Sequence, residues 1–282
     1  MILYRPMVDG EVPAGLSLCR AANWNQTVED WQLFLKLSPR GCCVAVDDHG
    51  EVRGTVTTVR YENRFSWIGM VLVDPAYQRK GIGIQLVREA IHLLRADQVI
   101  KLDATSAGRH IYGQLDFVDE YPITRMEAKE LLPLGNRADS AQRVELNNMR
   151  SILEIDRQVF GADREQVLNP IFSRSPQFAF FTKGKEGLKS YCFGRPGHNF
   201  THIGPVIASD LESAKQVVIA ALQSAQGRPV VIDALQHDPL WMAWLTTIGF
   251  TEQRPLIRMY RGKNDWPGIP ERQFAILGPE FG

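Results

Sequence analysis

The sequence predicts an α/β protein, of the α+β mixed-sheet kind, laid out as two tandem copies of one fold. Two observations carry that prediction. Residues Phe65 to Ile84, FSWIGMVLVDPAYQRKGIGI, read as an apolar strand, a glycine-containing loop and a helix start, and Val99–Ala104 returns as a strand after the helix. Strand, helix and strand form a right-handed crossover with parallel strands, whereas the hairpin-linked strands before it are antiparallel. The same order of elements then recurs in the second half, where Val73 to Phe117 and Ile207 to Phe250 span nearly equal lengths.

In chain order, Tyr4–Met7 reads as a strand and Gly15–Asn23 as a short helix or turn. Thr27 is an N-cap with Asp30 at the third helical position, and Val28, Trp31, Phe34 and Leu35 fall at helical spacing until Pro39. Cys42–Val46 and Val52–Arg60 alternate as strands around an Asp47-Asp48-His49-Gly50 turn, and Ser66–Val73 is the next strand. Ile84–Arg95 is an amphipathic helix with Val87, Ala90, Ile91 and Leu94 on one face. Ser106–Leu115 is a short helix, and Phe117–Met126 a strand whose Pro122 implies an edge or a bulge.

After a linker at 131–136, helix Leu146–Phe160 is followed by strands Phe178–Thr182, Lys189–Gly194 and Thr201–Ala208. Helix Ser213–Ala225, strand Pro229–Leu235, helix Leu240–Ile248 and strand Ile257–Tyr260 complete the second copy. The copies are expected at 1–132 and 137–282. Trp31, and the Trp241-Met242-Trp244 group, read as core, and the apolar tail Arg272–Pro279 reads as folding back onto the protein.

With 282 residues, 44% hydrophobic and 23% charged, the chain is long enough for one or two globular domains. Its net charge of zero argues against a nucleic-acid or membrane-surface role. No apolar run approaches the roughly 18 residues that span a bilayer, and the first residues lack a signal-peptide core. Cys19, Cys42, Cys43 and Cys192 show no metal-ligand spacing. The expectation is a cytoplasmic protein with reduced thiols and no metal.

The chemistry concentrates at 65–84. First-turn backbone N–H groups have no intrahelical partner, and the helix dipole favours an anion there. Gly81 and Gly83 admit close approach, and Arg79 and Lys80 add positive charge.

The stretch Val73-Asp74-Pro75-Ala76-Tyr77-Gln78-Arg79-Lys80-Gly81-Ile82-Gly83-Ile84 resembles the acyl-coenzyme-A signature of the GNAT superfamily of N-acetyltransferases, V-x-P-x-x-Q/R-x-x-G-x-G/A, at every fixed position. Ile111–Phe117 is similar to the family's L-Y-x-x-x-G-F, with Asp116 in place of the usual Gly; Thr105 stands where Asn is frequent. The resemblance covers about residues 1 to 130 and implies two tandem GNAT-like acyl-CoA N-acyltransferase folds.

It further implies an N-acetyltransferase using acetyl-CoA as co-substrate, with direct attack by an amine in a ternary complex. Pantetheine is expected along Met70, Val71, Leu72 and Val73, and pyrophosphate on backbone N–H groups from Gln78, Arg79, Lys80, Gly81, Ile82, Gly83 and Ile84. Tyr112 matches the family's general acid. Many members carry a Glu on the signature strand, but Phe65–Val73 has no carboxylate. Asp103 is the first candidate base, ahead of His110 and Glu62, with a water relay also open. Trp24 and Asn25 are expected to bind the acceptor, a small-molecule or protein amine. Whether the chain forms a homodimer stays open, as does a non-catalytic acyl-CoA-binding or sensing role on the same fold. In the second copy the loop Ala208-Ser209-Asp210-Leu211-Glu212-Ser213 lacks glycine and basic residues, and Leu245 replaces the tyrosine. That copy is expected not to bind acyl-CoA, and to serve as scaffold, substrate wall or dimer surface.

Overall fold

The computed structural model describes residues 1–134, 138–185, 187–225 and 227–282. The expected linker at 131–136 ends on Gly135 and Asn136. These, the expected second-copy start at Arg137, and Glu186 of the Lys183–Gly187 turn lie outside the described residues.

The first copy runs β1 (Leu3–Pro6), α1 (Val12–Ala21), α2 (Val28–Leu37), β2 (Cys43–Val46), β3 (Val52–Tyr61), β4 (Phe65–Val73), α3 (Ile82–Leu93), β5 (Val99–Thr105), α4 (Ser106–Gly113) and β6 (Val118–Ala128). The second runs β7 (Gln142–Arg143), α5 (Met149–Phe160), α6 (Glu165–Arg174), β8 (Phe180–Gly184), β9 (Gly187–Pro196), β10 (Thr201–Ala208), α7 (Leu211–Ser224), β11 (Val230–Leu235), α8 (Pro239–Thr247), β12 (Thr251–Gly262) and β13 (Gln273–Ala275). Thr27 and Asp30 form the expected capping box of α2, and Asp30 Oδ2 accepts from the Thr27 N–H at 3.0 Å.

All strands join one sheet in the order β1-β2-β3-β4-β5-β12-β6-β11-β13-β10-β9-β8-β7. The centre of that order is an exchange. β12 of the second copy lies between β5 and β6, and β6 of the first lies between β12 and β11. Each copy thereby completes the other's sheet, and neither can separate without exposing strand edges. Pro122 sits where β6 has only β12 beside it, since pairing with β11 begins at Ile123. A register shift opposite Tyr121 and Asp119 marks a bulge in the same place, so the proline removes no ladder donor that the sheet needs.

One face of the sheet packs against α1, α2, α5 and α6 in a single shared core holding Trp31, Phe34, Trp67, Phe160 and Phe281. On the other side α3 covers the first copy and α7 the second, where Trp241 is fully buried. No described helix is long and apolar enough to cross a membrane.

The two crossovers share one irregularity. In β4 the partners change from Thr57↔Gly69 to Thr55↔Leu72, so β4 carries one residue more than β3 there, and Met70 has φ 52°. Thr55 Oγ1 donates to the Met70 carbonyl at 2.9 Å, which holds the bulge. In β10 the partners change from Ile203↔Gly194 to Val206↔Cys192, the same extra residue. A bulge bends its strand. Accordingly β4 pairs with β5 only at Ser66 and Trp67, and β10 with β11 only at Thr201 and His202. Beyond those pairs each parallel couple splays open.

Candidate active site

The two splays are filled differently. In the second copy β13 enters the gap, pairing with β10 at Val206 and Ile207 and with β11 at Ala234. In the first copy no strand enters. A cavity of about 80 Å³ occupies the gap, lined on the β4 side by Ile68, Gly69, Met70 and Val71 and on the β5 side by Leu102, Asp103 and Thr105.

The chain after β13 crosses from the filled gap to the open one. It is tied down by four donors to its carbonyls: Arg195 Nη1 to Leu277 at 2.8 Å, Trp67 Nε1 to Pro279 at 2.9 Å, Tyr61 Oη to Phe281 at 2.7 Å and Arg164 Nη1 to Gly282 at 2.7 Å. Phe281 stacks on Phe34 with ring centroids 4.6 Å apart. Two glycines admit this path. A Cβ on Gly69 would lie 2.9 Å from the Glu280 carbonyl oxygen, and one on Gly204 2.1 Å from that of Ile276. Any side chain at either position would collide with backbone.

Glu280 thus rests on the signature strand and is one of the residues lining the cavity. Its Oε1 accepts from Arg195 Nη2, while Oε2 has no hydrogen-bond partner among the described residues. The strand that carries no carboxylate of its own receives one from the tail. Sequence reading missed it because Glu280 lies over two hundred residues away in a segment without periodicity.

Tyr112 also lines the cavity. Thr105 caps α4 by accepting from the Gly108 N–H at 3.2 Å, and the Tyr112 ring leans on Gly108, where a Cβ would lie 2.9 Å from it. Asp116 takes φ 64° at the turn after α4, the left-handed conformation that Gly249 takes in the second copy at φ 101°. Aspartate tolerates that region better than most residues, so the departure from glycine leaves the turn intact. Burial pushes the Tyr112 phenol up to about 12, which keeps it a proton donor at neutral pH.

Gln78 to Gly81 form an exposed loop leading into α3, which begins at Ile82. Gly81 has φ 81° and is the N-cap residue, and a Cβ there would meet nothing within 4 Å. Ile82, Gly83 and Ile84 begin α3 with their N–H groups free of intrahelical acceptors. Lys80 Nζ lies 4.5 Å from the Tyr77 ring centroid. The loop leaves backbone N–H groups free, and β4 pairs with β5 at Ser66 and Trp67 and not beyond them. The corresponding turn in the second copy is closed on itself. Asp210 accepts from the Ser213 N–H at 2.9 Å and pairs with Lys189 at 2.9 Å, which places a carboxylate where an anion would bind.

Two expected site residues need correction. Asp103 lines the cavity, but both its oxygens accept from Arg258, at 2.9 Å each, and the two side chains are 0% and 3% exposed. Arg258 also donates to Tyr121 Oη at 2.6 Å. A carboxylate locked in that pair organises the sheet and is not a free base. Asn25 does not face the cavity. Its Oδ1 accepts from the N–H groups of Asn199 and Phe200, both at 2.9 Å, and its Nδ2 donates to the Phe200 carbonyl at 3.1 Å. It clamps the α1–α2 connection to the β9–β10 hairpin. Trp24 does line the cavity, together with Gln26, which was not expected. His110 and Glu62 lie outside it; Glu62 pairs with Arg157 at 2.6 Å.

Comparisons with known proteins point to one family. The sequence profile described as "Acetyltransferase (GNAT) family" matches residues 16–117, and that described as "Acetyltransferase (GNAT) domain" matches residues 152–275. The chain is 26% identical over 268 residues to holothin acyltransferase of Pseudoalteromonas sp. (strain SANK 73390), covering 93% of this chain and 88% of that protein. It is also 26% identical over 207 residues to the uncharacterized N-acetyltransferase YitH of Bacillus subtilis, covering 71% of each. Among solved structures, a provisionally assigned acetyltransferase from Pyrococcus horikoshii superposes with a TM-score of 0.83 at 25% identity, over 100% of this chain and 96% of that one. A tandem GNAT protein from the clavulanic acid biosynthesis pathway superposes with a TM-score of 0.62 at 12% identity, over 92% and 98%.

Proposed function

Because this chain belongs to the GNAT acetyltransferases and carries two of their domains in tandem, we propose that it is an N-acetyltransferase with one active site, in the first copy. It moves an acetyl group from acetyl-CoA to an amine by direct attack in a ternary complex. The observation that carries this reading is the open gap between β4 and β5, set against the same gap filled by β13 in the second copy. β13 occupies its gap by strand addition, the mode in which the β4 edge would hold pantetheine.

Acetyl-CoA supplies the electrophilic thioester carbonyl. The amine nitrogen forms a bond to that carbon, the carbon–sulfur bond breaks, and sulfur leaves with the electron pair. Tyr112 gives its phenolic proton to the departing sulfur. The proton leaving nitrogen goes to the free Oε2 of Glu280, the carboxylate without a second partner in the cavity. Backbone N–H groups of the bulged β4 stabilise the charge developing on oxygen.

The test is thiol release from acetyl-CoA across a panel of amines. Turnover is expected. Acetyl-CoA binding without thiol release from any amine would leave the alternative, a non-catalytic acyl-CoA-binding protein.

A further inference from the structure

The acceptor side of the cavity holds polar groups that the acetyl-transfer chemistry leaves unused. The first is Arg254. A bulge at Gln253 shifts the β12 register between Glu252 and Arg254, and so sets Arg254 opposite Arg125 of β6. Without the extra residue, Gln253 would stand there. Arg125 is neutralised by Asp233, with Nε and Nη2 each donating at 2.7 Å. Arg254 has no such partner. It lines the cavity, its Nε is buried without an acceptor, and it forms no ion pair among the described residues.

Arg254 is half-buried, with Asp233 and Glu280 within electrostatic reach but neither bonded to it, and a buried Nε–H left without an acceptor is costly in a folded chain. Burial and the charge of Arg125 lower its pKa to about 10, so it still carries its charge at neutral pH. A site that keeps such a group has a use for an anion.

The second group is Gln26. It is 6% exposed, lines the same cavity, and its Oε1 has no donor. With the free Oε2 of Glu280, it offers acceptors for N–H groups. The cavity thus leaves a donor without an acceptor on Arg254 and an acceptor without a donor on Gln26. The third boundary is Trp24, in the α1–α2 connection.

We propose that the acceptor is a small amine bearing a carboxylate, of the amino-acid class, with its carboxylate on Arg254 and its amino group facing Gln26 and Glu280. This rests on the acetyltransferase reading above. The small ligand satisfies both groups at once. Transfer then makes an N-acetyl amino acid and free coenzyme A. The nitrogen proton passes to Glu280 and on to water, and Tyr112 regains from water the proton it gave to sulfur.

Thiol release from acetyl-CoA is measured with the twenty amino acids and with the amines formed by removing their α-carboxylates, on the wild-type protein and on Arg254→Gln and Arg254→Lys. In the wild type, kcat/KM for at least one amino acid should exceed that of its decarboxylated partner by about 10- to 100-fold, the range of a charge-assisted hydrogen bond. Arg254→Gln should erase that preference through KM, with acetyl-CoA affinity unchanged, and Arg254→Lys should restore part of it. Faster turnover of the decarboxylated amines, or a preference that survives Arg254→Gln, overturns the proposal and leaves the acetyltransferase reading standing. Thiol release from no amine, with acetyl-CoA bound, overturns both.

Discussion

The β4–β5 and β10–β11 crossovers begin alike. Each has two parallel pairs, a one-residue bulge and a splay beyond it. They differ in the segment that enters the splay and in the turn that leads from strand to helix. In the second copy β13 takes the backbone groups of both strands, and Asp210 closes the turn on itself. In the first, the edge stays free and the loop presents unpaired N–H groups at Gly81–Ile84. Duplication preserved the geometry that opens a sheet, and one segment of chain decided which opening remains a site. That segment does two things, since beyond β13 it carries Glu280 onto Gly69 of the other copy. On the proposed reading, the second copy therefore contributes to the active site of the first.

The contrast between the copies is open to direct test. The largest effect is expected from Gly81→Asp and Gly83→Asp. A carboxylate within a few ångströms of the pyrophosphate costs about 3–4 kcal/mol at a surface-like dielectric, so acetyl-CoA affinity should fall by about 100-fold or more by calorimetry. The wild-type chain should titrate with one acetyl-CoA; two per chain would end the distinction between the copies. Tyr112→Phe should lower kcat about 100-fold with acetyl-CoA affinity unchanged. Because burial raises the phenol to about 12, Tyr112 stays protonated below that pH. The wild-type rate should then show no fall due to Tyr112 on the alkaline side until pH approaches that value, and a Tyr112-dependent fall near neutrality would exclude it as the acid.

Glu280→Gln should lower kcat about 10-fold at neutral pH. The deficit should shrink as pH rises, because an amine already neutral needs its proton accepted less. A deficit constant with pH would mean that Glu280 only holds Arg195. Asn25→Ala should have the smallest effect on catalysis. It removes three hydrogen bonds between the copies and should cost about 1–3 kcal/mol of stability in denaturant unfolding, with acceptor KM unchanged. A rise in KM alone would return Asn25 to the acceptor site.

Much of this was legible in the chain because it depends on short-range pattern. Alternation, helical spacing and the Thr27–Asp30 capping box place the elements within a few residues. The Gln78–Gly83 loop reads as an anion site because its glycines and its helix start are contiguous. The duplication shows in the order of elements. Helix α6 was not expected, since Pro170 sits inside it and masks the periodicity. Asp103 and Asn25 were misjudged for one reason: a polar side chain near the end of a strand or in a helix connection looks the same whether its partner is a substrate or a distant residue. Arg258 and Phe200 are those partners, and neither is near in sequence.

Two copies of one fold, and the contrast between the Gln78–Gly83 loop and its counterpart at 208–213, are written in the sequence alone, because both depend on residues close along the chain. How the copies interlock, which gap is filled, and that Glu280, Arg254 and Gln26 meet at one cavity were settled by tertiary packing. Strand exchange and tail insertion depend on which distant edges satisfy each other's backbone groups and which glycines leave room for them. No local pattern encodes that choice.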